Sequence, residues 1–564
     1  MKDFIFKFGR GKHFLNLATF QFDKEIIIGD NSLHLKGDPI CSELSALIDP
    51  DFSVEQLLEI VKGHYYFIYS EGDFCQIGNS RFSILPMYYA IDNGSVYVSN
   101  KVKLIAQKLS SVTTNKRFIL ENILFNYPLF NQTISEEIQL LPSNSYLQIK
   151  SGSVEVKSLK PIEEYFVSNP KPWRKSIDEI GDIFIEKSAQ YFPDEEYATS
   201  LTGGFDGRTL TALGKYHGKS FSTYCFGSKK SADVQIAKKL SALSGLRFHE
   251  FDLGRKYVED RSLHNGLEFI TGAEGGASFA RAHYMDAIRQ LSKEYKYIVT
   301  GNFGSEVFRA AHIAGVVISP NLYKLFTALS FDEGIKGVES SNEFLWLKKE
   351  AFREEWRHLK IDLKKLPCFA PQYKELTKNQ QFYKFVFEEI FRKYFGAEMA
   401  NQYQYIINRT PFLDFDFIQD ILKTELSGVY SGFFENNPVK RYKGQVVYAN
   451  IIKKAYPDFG TELTDKGYRP DDLLTIPGKL RIVQGYVKKR IKKSKRNRLA
   501  DPYSVQAAFA ANKSFWKKFP LDEKLFDVAR IQAHMETLSH RDSLFIVLSQ
   551  NYYLHQMTGQ YANI

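Results

Sequence analysis

From residue 197 the chain alternates short strand-like runs with helix-like ones, and few folds tolerate that alternation. YATSL (197–201), SFSTYCF (220–226), RFHEFDL (247–253) and KYIVT (296–300) are rich in aromatic and β-branched residues. Segments such as ADVQIAKKLSALSG (232–245) separate them, with apolar residues at helical spacing. Strands joined through helices predict a parallel, doubly wound sheet, and so an α/β fold.

In such a sheet ligands sit outside the carboxyl ends of the strands. The first junction reads TGGFDG (202–207) and runs into a helix-like RTLTALGKY (208–216). Gly203 and Gly204 can take φ > 0 and leave their N–H groups unobstructed by side chains. Successive N–H groups at a helix start favour a phosphate or pyrophosphate. Asp206, unable to bind an anion, suits Mg²⁺, which bridges carboxylate and phosphates. There is no GxxxxGK[ST] and no GxGxxG, which excludes a Walker loop and a dinucleotide fingerprint. The residues alone leave two readings open, a phosphate loop or an ordinary tight βα turn with an acid near the helix start.

The chain before this sheet reads differently. YYFIYS (65–70), DFCQIGN (73–79), MYYAI (87–91), SVYVSN (95–100) and SYLQIKSGSVEVKSL (145–159) are strands punctuated by hairpin turns at Gly72, 92–94 and Ser151-Gly152. VSNPKPW (167–173) reads as a linker, and 174–192 as a helix. Beyond about residue 320 the chain is mainly helical, most clearly at 348–366 and 379–395. The 564 residues exceed what one core supports, and length alone suggests two to four domains.

A net charge of +10 raises the question of an anionic partner: nucleotide, nucleic acid or membrane surface. The run VKKRIKKSKRNRL (487–499) is the strongest local charge feature, but it lacks the interleaved aromatics of a single-strand binder and reads as a solvated face. Cys41, Cys75, Cys225 and Cys368 are scattered, with no zinc spacing, and read as buried small hydrophobes in a reducing compartment. No secretory h-region and no spanning segment are found, so a cytoplasmic location is expected.

TGGFDG resembles the SGGxDS pyrophosphate loop of the ATP-pyrophosphatase enzymes, and further segments narrow the likeness to asparagine synthetase-like proteins. GHYYFIY (63–69), PMYYAI (86–91), VSNKVKLIA (98–106) and TISEEIQLLPSNSYL (133–147) resemble successive strands and turns of that family's glutaminase-type domain. SADVQIAKKLSALSGLRFHE (231–250) resembles its segment after the second strand, TGNFGSEVF (300–308) its SGxGxDElF loop, and RTPFLD (409–414) its RxPFLD motif. The resemblance implies a glutaminase-like, Ntn-type αββα sandwich over 1–166. It implies a doubly wound ATP-pyrophosphatase domain with a helical lobe over 174–564. It further implies an amide ligase that adenylates a carboxylate with ATP and Mg²⁺ and then accepts an amine or ammonia. By matched position, Leu201, Thr202, Gly203, Gly204, Phe205, Asp206, Gly207, Phe226, Thr300 and Gly301 would hold the nucleotide. Asp206 and Glu306 would hold the metal. Lys466, in TDKGYRP (464–470), would meet the α-phosphate, with Glu306 beside it in catalysis.

Several positions depart from that pattern. Lys2 stands where glutamine-using members carry a nucleophilic cysteine, and a terminal nucleophile needs its own α-amine as base. Glutamine hydrolysis is therefore not expected, as in the resembling β-lactam synthetases and lasso-peptide cyclases. Asn79-Ser80 replaces an Arg-Asp pair, and Gly207 replaces the last Ser of the loop, with Arg208 as a substitute donor. Ser305 replaces the second metal-binding aspartate, leaving Glu306 or Asp233 to compensate. Arg409 and Asp414 are expected to order the helical lobe, and His249 to be a satisfied junction histidine. The expected partners are a small-molecule or peptide carboxylate and an amine donor, with no nucleic acid. Two other readings stay open: a tRNA-modifying ATP-pyrophosphatase, and a nucleotide-binding scaffold without activity.

Overall fold

The computed structural model describes residues 1, 3–8, 22–28, 31–41, 52–150, 153–308, 317–435, 437, 441–482, 505–537 and 542–558. Lys2, Ser151-Gly152 and the basic run 487–499 lie outside the described residues.

Among the described residues the first part holds ten strands: β1 (Ile5–Phe8), β2 (Lys24–Ile28), β3 (Asn31–Ile40), β4 (Lys62–Glu71), β5 (Phe74–Asn79), β6 (Tyr88–Asp92), β7 (Ser95–Ser99), β8 (Gln139–Leu140), β9 (Ser145–Lys150) and β10 (Ser153–Ser158). They form a four-stranded sheet, β1-β7-β6-β8, and a six-stranded one, β10-β9-β5-β4-β3-β2, with antiparallel pairing throughout. The two-residue period of β4 decides how they stack. Tyr65, Phe67 and Tyr69 point to one side, joining Leu33, Leu35 and the helix Val54–Ile60. Tyr66 and Ile68 point to the other and share a core with β1, β6 and β7, where Phe4 meets Tyr66 edge-on at 4.9 Å. Both faces of β4 are thus buried, which explains why YYFIY is apolar without a break.

The second part is built on β11 (Tyr197–Ser200), β12 (Phe221–Gly227), β13 (Phe248–Asp252), β14 (Tyr297–Val299) and β15 (Ile407–Arg409), all parallel, in the order β13-β12-β11-β14-β15. The order reverses between β11 and β14, so the topological switch point lies there. β15 was not foreseen: three residues inside a helical stretch leave no alternation to read. The helices Trp173–Ser188 and Asp206–Tyr216 both pack against Lys443–Ala455. The expected helix over 379–395 divides into an α-helix, Lys378–Phe385, and a π-helical stretch, Val386–Phe395.

The segment read as a linker is tied down, with Lys171 exchanging backbone hydrogen bonds with Lys423 and Glu425 at 2.9 and 3.0 Å. Residues 409–416 are clamped to the first part. Arg409 donates to both oxygens of Asp38 in β3 at 2.8 and 3.0 Å, His64 meets the Thr410 hydroxyl at 2.8 Å, and Lys62 meets Asp416 at 2.8 Å. Asp414 caps the helix Phe415–Ile421 through Phe417 N–H at 2.9 Å. Asp414 thus orders the helical chain as expected, whereas Arg409 reaches across to β3 instead.

Candidate functional site

β11 ends at Ser200, and the next residue, Leu201, still donates to the Tyr224 carbonyl of β12 at 2.9 Å. β14 ends at Val299. Thr300 then donates through its N–H to the Arg409 carbonyl at 3.1 Å and through its hydroxyl to Asn408 at 2.8 Å. The loops 201–205 and 300–304 therefore leave the carboxyl ends of the two strands that flank the switch point. Phe226 closes the end of β12 beside them.

Glycine lets these loops touch. A Cβ on Gly301 would fall 2.6 Å from Asp206 Cβ and 3.1 Å from Gly207 N, and one on Gly304 would fall 2.9 Å from Asp206 Oδ1. Between them Phe303 adopts a left-handed φ of 71°, costly for a bulky residue. Its ring is buried against Phe391 and Phe395 at 4.9 and 4.7 Å, which holds the loop in that shape.

Asp206 sits where the loops meet. Ser305 donates its hydroxyl to Asp206 Oδ2 at 3.0 Å, and the Tyr448 hydroxyl donates to Oδ1. The position where the resembling family has its second acid thus supplies a donor to the first. Glu306 follows on the short helix Gly304–Phe308, half-buried, with its carbonyl accepting from the Tyr383 hydroxyl at 2.9 Å. No three His, Cys, Asp or Glu side chains converge as a metal cluster among the described residues. Mg²⁺ uses one or two carboxylates completed by phosphate and water, and Asp206, placed at the switch point and held by exchangeable hydroxyls, fits that pattern.

The open nest expected at Gly203 and Gly204 is corrected in two respects. Neither glycine takes a positive φ. Nor are their N–H groups bare, because Gly203 donates to Asp233 Oδ1 at 3.0 Å and Gly204 to the Thr202 hydroxyl at 3.2 Å. What Gly203 provides is closeness: a Cβ there would lie 3.0 Å from Asp465 Cβ and Ile236 Cδ1. Burial pushes the Asp233 carboxyl up and the charge of Asp465 adds to this, while the Gly203 N–H pulls it down.

Asp465 belongs to the loop that carries Lys466. Its N–H donates to the Gly203 carbonyl at 3.0 Å, and Gly467, at φ +87°, turns the chain so that Thr464 bonds back to Tyr468 at 2.9 Å. The Lys466 ammonium lies 5.5 Å over the ring of Phe205, whose other neighbours are Tyr448 and Tyr468. Arg208, read as a substitute phosphate donor, is fully buried and donates to the carbonyls of Phe459, Glu462 and Leu463 at 3.1, 2.8 and 2.8 Å. Burial brings its guanidinium down to about 10, so it stays charged at neutral pH. Its work is to fix the segment that delivers Lys466. His249 bonds Tyr295 at 2.9 Å, a satisfied junction histidine as expected.

Leu201, Thr202, Gly203, Gly204, Phe205, Asp206, Gly207, Phe226, Thr300, Gly301, Glu306 and Lys466 all come to this edge of the sheet. Sequence reasoning missed Tyr448, on the helix Lys443–Ala455, and nothing in its apolar helical spacing could have revealed it.

No protein-family model matches the chain. It is similar to the glutamine-hydrolysing asparagine synthetase 1 of Bacillus subtilis (strain 168), with 22% identity over 202 residues. That match covers 34% of this chain and 31% of the relative, so the likeness spans about a third of the relative's length. The resemblance to asparagine synthetase-like proteins expected from the motifs is thus met by a curated relative. Among solved structures, the glutamine phosphoribosylpyrophosphate amidotransferase of B. subtilis, complexed with ADP and GMP, aligns over 56% of this chain and 71% of its own at 8% identity. A structure described as the allosteric regulatory enzyme of purine biosynthesis aligns over 55% and 68% at 9%. Both have a TM-score of 0.16 and carry no argument about fold or activity. No helix among the described residues is long and apolar enough to cross a membrane.

Proposed function

We propose that this chain is an ATP-dependent, amide-forming ligase that adenylates a carboxylate. The observation that carries the proposal is the meeting of loops 201–205 and 300–304 at the switch point, with Asp206 between them and Lys466 delivered beside them. Residues 1–166 would then be a degenerate amidotransferase-like unit and 174–564 the catalytic one.

The chemistry runs in two steps. A carboxylate oxygen of the substrate bonds to the α-phosphorus of ATP, the bond from that phosphorus to the bridging oxygen breaks, and pyrophosphate leaves with the electron pair. An amine nitrogen then bonds to the acyl carbon, AMP leaves with the pair from the C–O bond, and the amine gives up a proton. The N–H groups of 203–207 and 301–304 orient the polyphosphate, and Lys466 offsets charge that grows at the α-phosphorus. Mg²⁺, held by Asp206 with Glu306 nearby, would neutralise charge on the leaving group. Because Asp233 already accepts from Gly203, the phosphate chain must displace that carboxylate to use this N–H.

The amine donor is proposed to come from outside the chain. Cys75 is sealed in the first core with its thiol pushed well up by burial, unsuited to take an acyl group from glutamine.

The same Asp233 contact, with both Asp206 oxygens held by hydroxyls, favours a second reading, a nucleotide-binding scaffold. ATP–pyrophosphate exchange over a panel of carboxylic acids separates the two. Exchange with any acid, lost in Asp206→Asn, supports the ligase; no exchange with any acid leaves the scaffold.

A further inference from the structure

A cavity of about 290 Å³ lies past the carboxyl end of β13, a size at the lower limit of small-molecule sites. Its walls include Leu253, Tyr257, Val258, Phe279, Ala508 and Trp516, and among the described residues no lysine, arginine or acid lines it. Two polar side chains of the wall are tied together, since Ser262 donates to the Val258 carbonyl at 2.5 Å and accepts from Asn512 at 2.8 Å. Trp516 stacks on Phe279 at 4.7 Å and forms a flat aromatic wall. His283 is a further polar residue of the wall, and its side chain is exposed where it lines the cavity.

This cavity adjoins the candidate site. His283 meets the ring of Phe226 at 5.4 Å, and Phe226 packs against Leu253, Tyr257 and Val258. Phe226 therefore separates the cavity from the crevice at the ends of β11 and β12, with His283 at the same boundary. A charged group such as an aspartate side chain would find no partner among these walls and would pay its full desolvation cost. A flat or branched apolar group would gain the burial of its surface.

We propose that the cavity binds the aryl or branched-alkyl group of an organic acid, with the acid's carboxyl end directed past His283 and Phe226 toward the phosphate loop. As a substrate assignment this rests on the ligase reading above; as a binding site it does not. The test titrates 3-phenylpropanoate into the full chain and follows Trp516 fluorescence, with aspartate as the comparison acid. Saturable quenching by 3-phenylpropanoate and none by aspartate is expected. Trp516→Phe should lose the optical signal yet keep calorimetric binding. Ala508→Phe, which fills the cavity, should weaken binding at least tenfold, and Ala280→Leu, on a different element, should do the same. ATP–pyrophosphate exchange should be at least tenfold faster with 3-phenylpropanoate than with aspartate. Absent binding, or binding that neither filling variant weakens, overturns the proposal. Binding without exchange keeps the cavity as an aryl-acid site and removes the ligase reading alone.

Discussion

Gly207 gives the sharpest test of the loop packing, because the resembling family carries a serine there. A Cβ at this position would lie 2.2 Å from the Ser200 carbonyl oxygen and 3.3 Å from Leu201 Cα. Both atoms are backbone at the end of a central strand, so no side chain can swing away. Relieving the contact requires moving the helix start by about 1 Å, since carbon contacts become comfortable only near ~3.5 Å. That shift would disturb the Leu201–Tyr224 bond at 2.9 Å and the Gly203–Asp233 bond at 3.0 Å. Overpacking costs ~1–3 kcal/mol, and a backbone clash of this depth places Gly207→Ala near about 3 kcal/mol. Stabilities of folded domains are ~5–15 kcal/mol, so the variant should still fold. Urea unfolding measures the loss, with Gly204→Ala as the control. A Cβ on Gly204 would meet nothing nearer than Thr202 Oγ1 at 3.4 Å, and its substitution should be neutral or stabilising by up to ~1 kcal/mol. Equal unfolding midpoints for the two variants would refute the packing of this loop.

Further outcomes follow from the same contacts. Asp38 is buried and grips Arg409 with both oxygens, so Asp38→Ala strands a guanidinium and should cost ~3–5 kcal/mol by calorimetry; a loss under ~1 kcal/mol would contradict the clamp. The Asp233 carboxyl is raised on folding, so the stability carried by its protonated form is present below the ordinary value near ~3.9 and is lost as pH rises through the raised one. Asp233→Asn mimics that form and keeps the Gly203 bond, so its melting temperature should gain on wild type as pH rises from 4 to 7; a constant difference would exclude the shift. The contact of Lys466 with the Phe205 ring is worth ~0.5–1 kcal/mol, so its loss in Lys466→Met should cost unfolding about that much while exchange falls at least a hundredfold. Unchanged exchange would remove its role.

The parallel sheet was legible because β11 to β14 are separated by helices of clear period, and the glycine-bearing junction fell where such a sheet places a ligand. The hairpin strands were equally open, since β4 presents aromatic residues to two cores. What stayed hidden depends on contacts far apart in sequence. Tyr448 reaches Asp206 across 242 positions, and Asp233 reaches Gly203 across 30. Arg208 looked like a phosphate donor because charge beside a glycine loop suggests it. Its burial follows from carbonyls of 459–463 that no local pattern places there. The left-handed Phe303 had no signal either, because its conformation is imposed by packing on Phe391 and Phe395. The cavity beyond β13 is likewise assembled from 253–283 and 505–516, which share no motif.

Calorimetric titration of ATP, with and without Mg²⁺, into the wild-type chain and Asp206→Asn is the most direct test. Asparagine keeps one acceptor oxygen for one of the two hydroxyls of Ser305 and Tyr448, and its NH2 can donate to the other once that hydroxyl turns, so the variant should fold normally. Saturable, Mg²⁺-dependent binding that weakens at least thirtyfold in Asp206→Asn is the expected result. Absence of ATP binding to the wild-type chain, or equal affinity in the variant, would contradict a nucleotide site at the junction of β11 and β14.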